Sequence, residues 1–192
     1  MDMLALIFVA VLANNVILSQ FLGICPYLGL TRRLETAVGM GLAVTFVMVL
    51  AALVTWVAFN IFLVPFNIVF LRIIAFILMI AGMVQLLEMI LKKLNPTLFR
   101  AFGIYLPLIT VNCAIMGVAI MNAEAGRGIV EALVFAISTG TGFLLAMIIM
   151  AGIRERLELV TMSSYLQGAA VTLVTCGILS LAFMGFKGLV TL

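Results

Sequence analysis

Six apolar stretches separated by short polar turns run along the chain, each long enough for about 20 residues of bilayer-crossing helix, and the alternation predicts six crossings. They fall at about 3–30, 37–59, 68–91, 101–121, 129–153 and 167–192. Arg32, Arg33 and Glu35 close the first. A short turn with Pro65 follows the second, and Lys92-Lys93-Leu94-Asn95-Pro96 stops the third before Arg100. Residues 122–127 form a polar turn, and Arg154-Glu155-Arg156-Leu157-Glu158, the most charged run, reads as the loop after the fifth crossing. The fold class is therefore all-α, a single integral membrane domain over 1–192.

Two crossings depart from the plain apolar pattern. In the first, Asn14-Asn15-Val16-Ile17-Leu18-Ser19-Gln20-Phe21-Leu22-Gly23-Ile24-Cys25-Pro26-Tyr27-Leu28-Gly29 holds two asparagines, a glutamine, a cysteine, a proline and two glycines. In hydrocarbon each polar group and each freed amide needs a partner, so this helix is predicted to be interrupted near the midplane. Asn14, Asn15 and Gln20 are expected to cap the freed backbone or bridge neighbouring helices. The fourth crossing repeats the device in Leu106-Pro107-Leu108-Ile109-Thr110-Val111-Asn112-Cys113-Ala114-Ile115-Met116-Gly117, with Asn112 in the capping role. Cys25 precedes Gly29, and Cys113 precedes Gly117, by four residues. Gly39-Met40-Gly41 opens the second crossing and Gly140-Thr141-Gly142 lies in the fifth, where close helix packing is their expected use. Three crossings per half make the second half (96–192) enter the membrane opposite to the first (1–95), the arithmetic of an inverted repeat.

Composition agrees with the pattern. Of 192 residues 67% are hydrophobic and 9% charged, with mean hydropathy +1.43, against about half and about a quarter in soluble domains. The net charge of +3 lies in short loops and reports orientation; no basic patch suggests nucleic acid. Arg32, Arg33, Lys92, Lys93, Arg100, Arg154 and Arg156 fall on one side, and Arg72, Arg127 and Lys187 on the other. The richer side is expected in the cytoplasm and both termini outside. Arg72 is expected to snorkel. No cleavable signal peptide is expected at the N-terminus. With no histidine in the chain, imidazole-ligated haem, copper or zinc and a histidine proton relay cannot be built from this chain alone.

Cys25 and Cys113 admit two readings. Each is a small residue suited to helix packing, or the two are thiolate ligands paired by the repeat. A thiolate in hydrocarbon needs a cation beside it, and iron–sulfur clusters usually take four protein ligands, so two more would come from another subunit. Cys176 has no matching partner and reads as structural. No carboxylate chain crosses the bilayer.

Leu22-Gly23-Ile24-Cys25-Pro26-Tyr27-Leu28-Gly29, Leu106-Pro107-Leu108-Ile109-Thr110-Val111-Asn112-Cys113-Ala114, Ile153-Arg154-Glu155-Arg156-Leu157 and Leu181-Ala182-Phe183-Met184-Gly185-Phe186 together resemble the family of RnfA proteins and their relatives in the sodium-translocating NADH:quinone oxidoreductase. The resemblance covers essentially the whole chain and is closer to the Rnf version. It implies a six-helix component of an ion-translocating ferredoxin:NAD+ oxidoreductase in the bacterial inner membrane. It also implies a homologous sister of opposite topology, RnfE, with RnfB, RnfC, RnfD and RnfG as further partners. Between the sisters the resemblance places a [2Fe–2S] cluster, held on this chain by Cys25 and Cys113, which carries electrons and is coupled to Na+ or H+ movement. A secondary transporter built on broken helices, and a structural anchor whose cysteines only pack, are the competing readings.

Overall fold

A computed structural model of the protein describes residues 7–63, 69–94, 106–158 and 169–190. The described residues are helical, with no strand among them. Seven α-helices are present in this set: α1 (Ile24–Leu30), α2 (Leu34–Ala58), α3 (Arg72–Leu94), α4 (Leu106–Thr110), α5 (Cys113–Glu124), α6 (Ile129–Glu158) and α7 (Ala169–Val190). One π-helical turn, Val9–Ala13, precedes α1, and another, Phe59–Leu63, extends α2. The turn with Pro65, the stop at Asn95-Pro96, Arg100 and the starts of the first, fourth and sixth predicted crossings lie outside the described residues.

Three spans, Leu34–Ile61, Arg72–Ile90 and Ile129–Leu157, are long and apolar enough to cross a membrane. They correspond to the second, third and fifth predicted crossings. Leu42, Phe46, Leu78 and Met89 on these spans are more than half exposed. A helix apolar on its outward face as well as its inner one is built for lipid. The charged run Arg154–Glu158 continues α6 and is not a loop. Its arginines, glutamates and leucine are good helix formers, and no glycine or proline interrupts it before Glu158.

The chain packs as two compact units. One joins residues 1–45 to 137–192 and the other is 46–136. In the first, Tyr27, Ala37, Met40, Val44, Phe143, Met147 and Met150 form the core, and α7 packs on both the turn Val9–Ala13 and α1. Of the glycines expected to serve close packing, Gly41, Gly140 and Gly142 do so here. A Cβ on Gly142 would lie 3.1 Å from the Val11 carbonyl oxygen and 3.3 Å from Asn15 Nδ2. One on Gly140 would lie 2.5–3.0 Å from three atoms of the Thr45 side chain, which is held in turn by its 2.7 Å hydrogen bond to the Gly41 carbonyl. Gly140→Ala is therefore expected to destabilise the protein by about 1–3 kcal/mol, the usual range for overpacking. Gly152→Ala on the same helix, where a Cβ meets nothing within 4 Å, should be neutral; thermal inactivation of the two purified variants compares them.

In the second unit, Met48, Ala52, Phe76, Ile80, Ile115 and Val118 are buried together with Ala119, and α3 packs against α4 and α5. Arg72, at the start of α3, does not simply snorkel: it forms a 2.8 Å ion pair with Glu124 at the end of α5.

Candidate metal centre

The first interruption is real and its backbone is accounted for. Helical geometry ends at Ala13, and no α-helix resumes before Ile24. Between them Phe21 has φ 57° and Gly23 has φ 83°, left-handed conformations that glycine adopts freely and phenylalanine at a cost of about 1–3 kcal/mol. Asn15 is fully buried. Its Oδ1 accepts from the Ile17 amide at 3.1 Å, and its Nδ2 donates to the Gly142 carbonyl on α6 at 2.8 Å. Ser180 on α7 donates to the Leu18 carbonyl at 2.5 Å. Asn14 Oδ1 accepts from Gln20 Nε2 at 3.4 Å. Asn15 thus caps and bridges as expected, Asn14 and Gln20 bond each other within the break, and α6 and α7 each hold the break by a hydrogen bond.

Beyond this break α1 starts, with Gly23 as its N-cap and Cys25 in the first turn. Pro26 follows where a proline does no harm, since the first amides of a helix have no intrahelical acceptor. The other end of α1 is also tied down. Buried Arg154 on α6 donates from Nη1 to the Leu28 carbonyl at 2.8 Å and to Thr31 Oγ1 at 3.1 Å. The neighbouring Glu155 accepts the Leu34 amide, the first of α2, at 3.3 Å. A cation therefore meets a helix C-terminus and an anion a helix N-terminus, the favourable sign in both cases. Charge alone suggests a cytoplasmic loop at this run and does not reveal the clamp.

The second interruption lies between α4 and α5. Val111 is 82% exposed and Asn112 is extended, with ψ 115°. Asn112 is the N-cap of α5: its Oδ1 accepts from the Ala114 amide at 3.0 Å. Cys113 is the first residue of α5. Both cysteines singled out in the sequence thus sit in the opening turn of a helix directly after a break, Cys25 in the first compact unit and Cys113 in the second. A helix start favours a negative group. Cys25 is exposed and Cys113 intermediate, whereas Cys176 is buried in α7, and none is in a disulfide.

Cysteine sulfur is the donor type a [2Fe–2S] centre takes, four in all, and Cys25 and Cys113 would each offer one; no group of three or more His, Cys, Asp or Glu residues gathers among the described residues. Next to Cys113, Asn112 Nδ2 is buried with no hydrogen-bond partner among the described residues. That orphan donor suits a site whose acceptor comes with a bound group.

A separate polar cluster occupies the turn after α5. A cavity of about 70 Å³ is lined by Thr55, Trp56, Asn60, Asn122 and Arg127. Arg127 donates to Asn122 Oδ1 at 3.0 Å, lies 3.9 Å over the Phe135 ring and accepts the Trp56 indole N–H on its carbonyl. Burial lowers the pKa of its guanidinium, with Glu131 acting in the opposite sense.

Known proteins are similar to this chain over nearly its whole length. The family model described as Rnf-Nqr subunit, membrane protein, matches residues 3–190. The chain is 50% identical over 189 residues to the A component of the ion-translocating oxidoreductase complex of Syntrophotalea carbinolica, covering 98% of each chain. Over 188 residues it is 47% identical to the component of that name from Azoarcus sp., covering 98% of this chain and 97% of the other. Its Escherichia fergusonii counterpart is 48% identical over 191 residues, covering 100% and 99%. A match across nearly the whole chain, together with identities near one half, shows that this protein belongs to the Rnf-Nqr family of membrane subunits.

Proposed function

We propose that this chain is the RnfA-type membrane component of an ion-translocating ferredoxin:NAD+ oxidoreductase complex, and that Cys25 and Cys113 hold one side of a [2Fe–2S] cluster shared with a homologous sister chain. The observation that carries the reading is the pairing of the cysteines, each in the first turn of a helix immediately after a break. For packing alone, neither cysteine needs the interruption beside it. The names of the relatives support membership of an ion-translocating oxidoreductase complex. When bound, such a cluster passes single electrons between redox partners on the two sides of the membrane, coupled to Na+ or H+ transport.

The chain's own residues do the rest. Asn15, Ser180, Arg154 and Asn112 hold the two broken segments in place. Six crossings, arranged as two inverted repeats with helices one and four interrupted and both termini outside, complete the architecture of the reading. Three spans and the two breaks support it. The apolar helices and the membrane-protein family support residence in the bacterial inner membrane.

Inverted membrane vesicles containing the whole complex test the proposal. With reduced ferredoxin and NAD+, electron transfer and cation uptake are expected together, and both are expected to vanish with Cys25→Ser. Wild-type uptake in that variant would leave the transporter or anchor readings in possession.

A further inference from the structure

The structure leaves Asn112 with half of its side chain unexplained. The residue is 5% exposed. Its Oδ1 is committed to the Ala114 amide at 3.0 Å. Because an N–H donor requires the oxygen there, the amide cannot be flipped, and the nitrogen is fixed on the other side. That nitrogen, Nδ2, is buried and has no acceptor among the described residues. Ile109, Ala114 and Ile115 beside it on the chain are all buried. An amide donor left in this state costs about 1–3 kcal/mol, so an acceptor is expected in the working protein. The residue that follows is Cys113, which opens the helix that Asn112 caps. A thiol sulfur is a weak acceptor, but a metal-bound thiolate carries charge and accepts well.

We infer that Asn112 is a positioning residue for the proposed metal centre, donating from Nδ2 to the Cys113 sulfur in its thiolate, ligating state. The inference rests on the reading of Cys113 as a ligand. One side chain then does two jobs: its oxygen starts α5, and its nitrogen sets the electron density on the sulfur that α5 presents. Hydrogen bonds to ligating sulfurs stabilise the more negative, reduced state and so raise the reduction potential. Removing the donor while keeping the cap should lower that potential.

Serine caps a helix about as well as asparagine and lacks the amide; aspartate keeps the capping oxygen and replaces the N–H2. The experiment is a redox titration of the assembled complex, followed by the paramagnetic signal of the reduced [2Fe–2S] cluster, in wild type, Asn112→Ser and Asn112→Asp. Both variants are expected to keep the signal and to titrate lower, with the equilibrium constant for reduction down about tenfold, equal to about 59 mV for one electron. Aspartate should shift it further because it adds negative charge. If Asn112→Ser weakens assembly, Asn112→Thr, the other short cap, is titrated in its place. A serine or threonine variant with the wild-type potential would overturn the inference and reduce Asn112 to a helix cap. A wild-type complex with no [2Fe–2S] signal at all would instead remove the ligand reading beneath it.

Discussion

Serine at Cys25 or at Cys113 is expected to lower electron transfer through the complex by more than about 100-fold, beyond the roughly 10–100-fold typical of losing a partner that only supports a ligand. Each substitution should also remove iron and acid-labile sulfide from the purified complex. The physical reason lies in the donor count. On the proposed reading Cys25 and Cys113, each in the opening turn of a helix after a break, are half of a four-ligand set, and such a set cannot lose a member and still hold the metal. Serine is close in size to cysteine, so a packing role would survive the change. Cys176→Ser serves as the control: Cys176 is 4% exposed within an uninterrupted helix, and its replacement should leave iron content and turnover in place. Metal analysis and ferredoxin-dependent NAD+ reduction on the three variants check this directly.

The next largest effect is expected at Arg154. It is 9% exposed, and its guanidinium satisfies the Leu28 carbonyl and the Thr31 hydroxyl at the end of the Cys25 helix. Hydrogen bonds from a charged donor contribute about 1.5–3 kcal/mol each, and a cation at a helix C-terminus adds about 0.3–1 kcal/mol. Arg154→Met fills similar volume but leaves those acceptors bare in a buried place. A loss of at least about 2 kcal/mol is expected, which would speed thermal inactivation more than about tenfold if it falls on the unfolding barrier. Arg154→Lys should recover only part, because lysine keeps the charge but lacks the planar fork that reaches two acceptors. Inactivation half-lives of the purified complexes measure the series. A methionine variant as durable as wild type would mean that α1 is held by its other contacts alone.

Much of this is legible in the chain. Uninterrupted apolar runs become long helices because a lipid-facing helix needs little beyond length and apolarity. Both breaks are visible because asparagine, glycine and proline have no ordinary use in the middle of a crossing; Asn15 and Asn112 take the bridging and capping roles that their side chains suggest. Long-range partners are not legible. Nothing local to Arg154 says that it reaches back to Leu28, 126 positions earlier, and nothing near Arg72 names Glu124. Charge alone suggests a loop at the first, where local helix propensity carries the helix on to Glu158, and snorkelling at the second, where a tertiary ion pair forms instead. The unsatisfied Nδ2 of Asn112 is equally hidden, since a capping asparagine looks the same in sequence whether its nitrogen is satisfied or waiting.

The measurement that bears most directly on the central claim is the low-temperature electron paramagnetic resonance spectrum of the dithionite-reduced complex, wild type beside Cys25→Ser, Cys113→Ser and Cys176→Ser. A [2Fe–2S] signal in the wild type and in Cys176→Ser that is absent from each of the other two is the predicted result. A signal that persists unchanged through both Cys25→Ser and Cys113→Ser would contradict it and return the two cysteines to the role of packing residues.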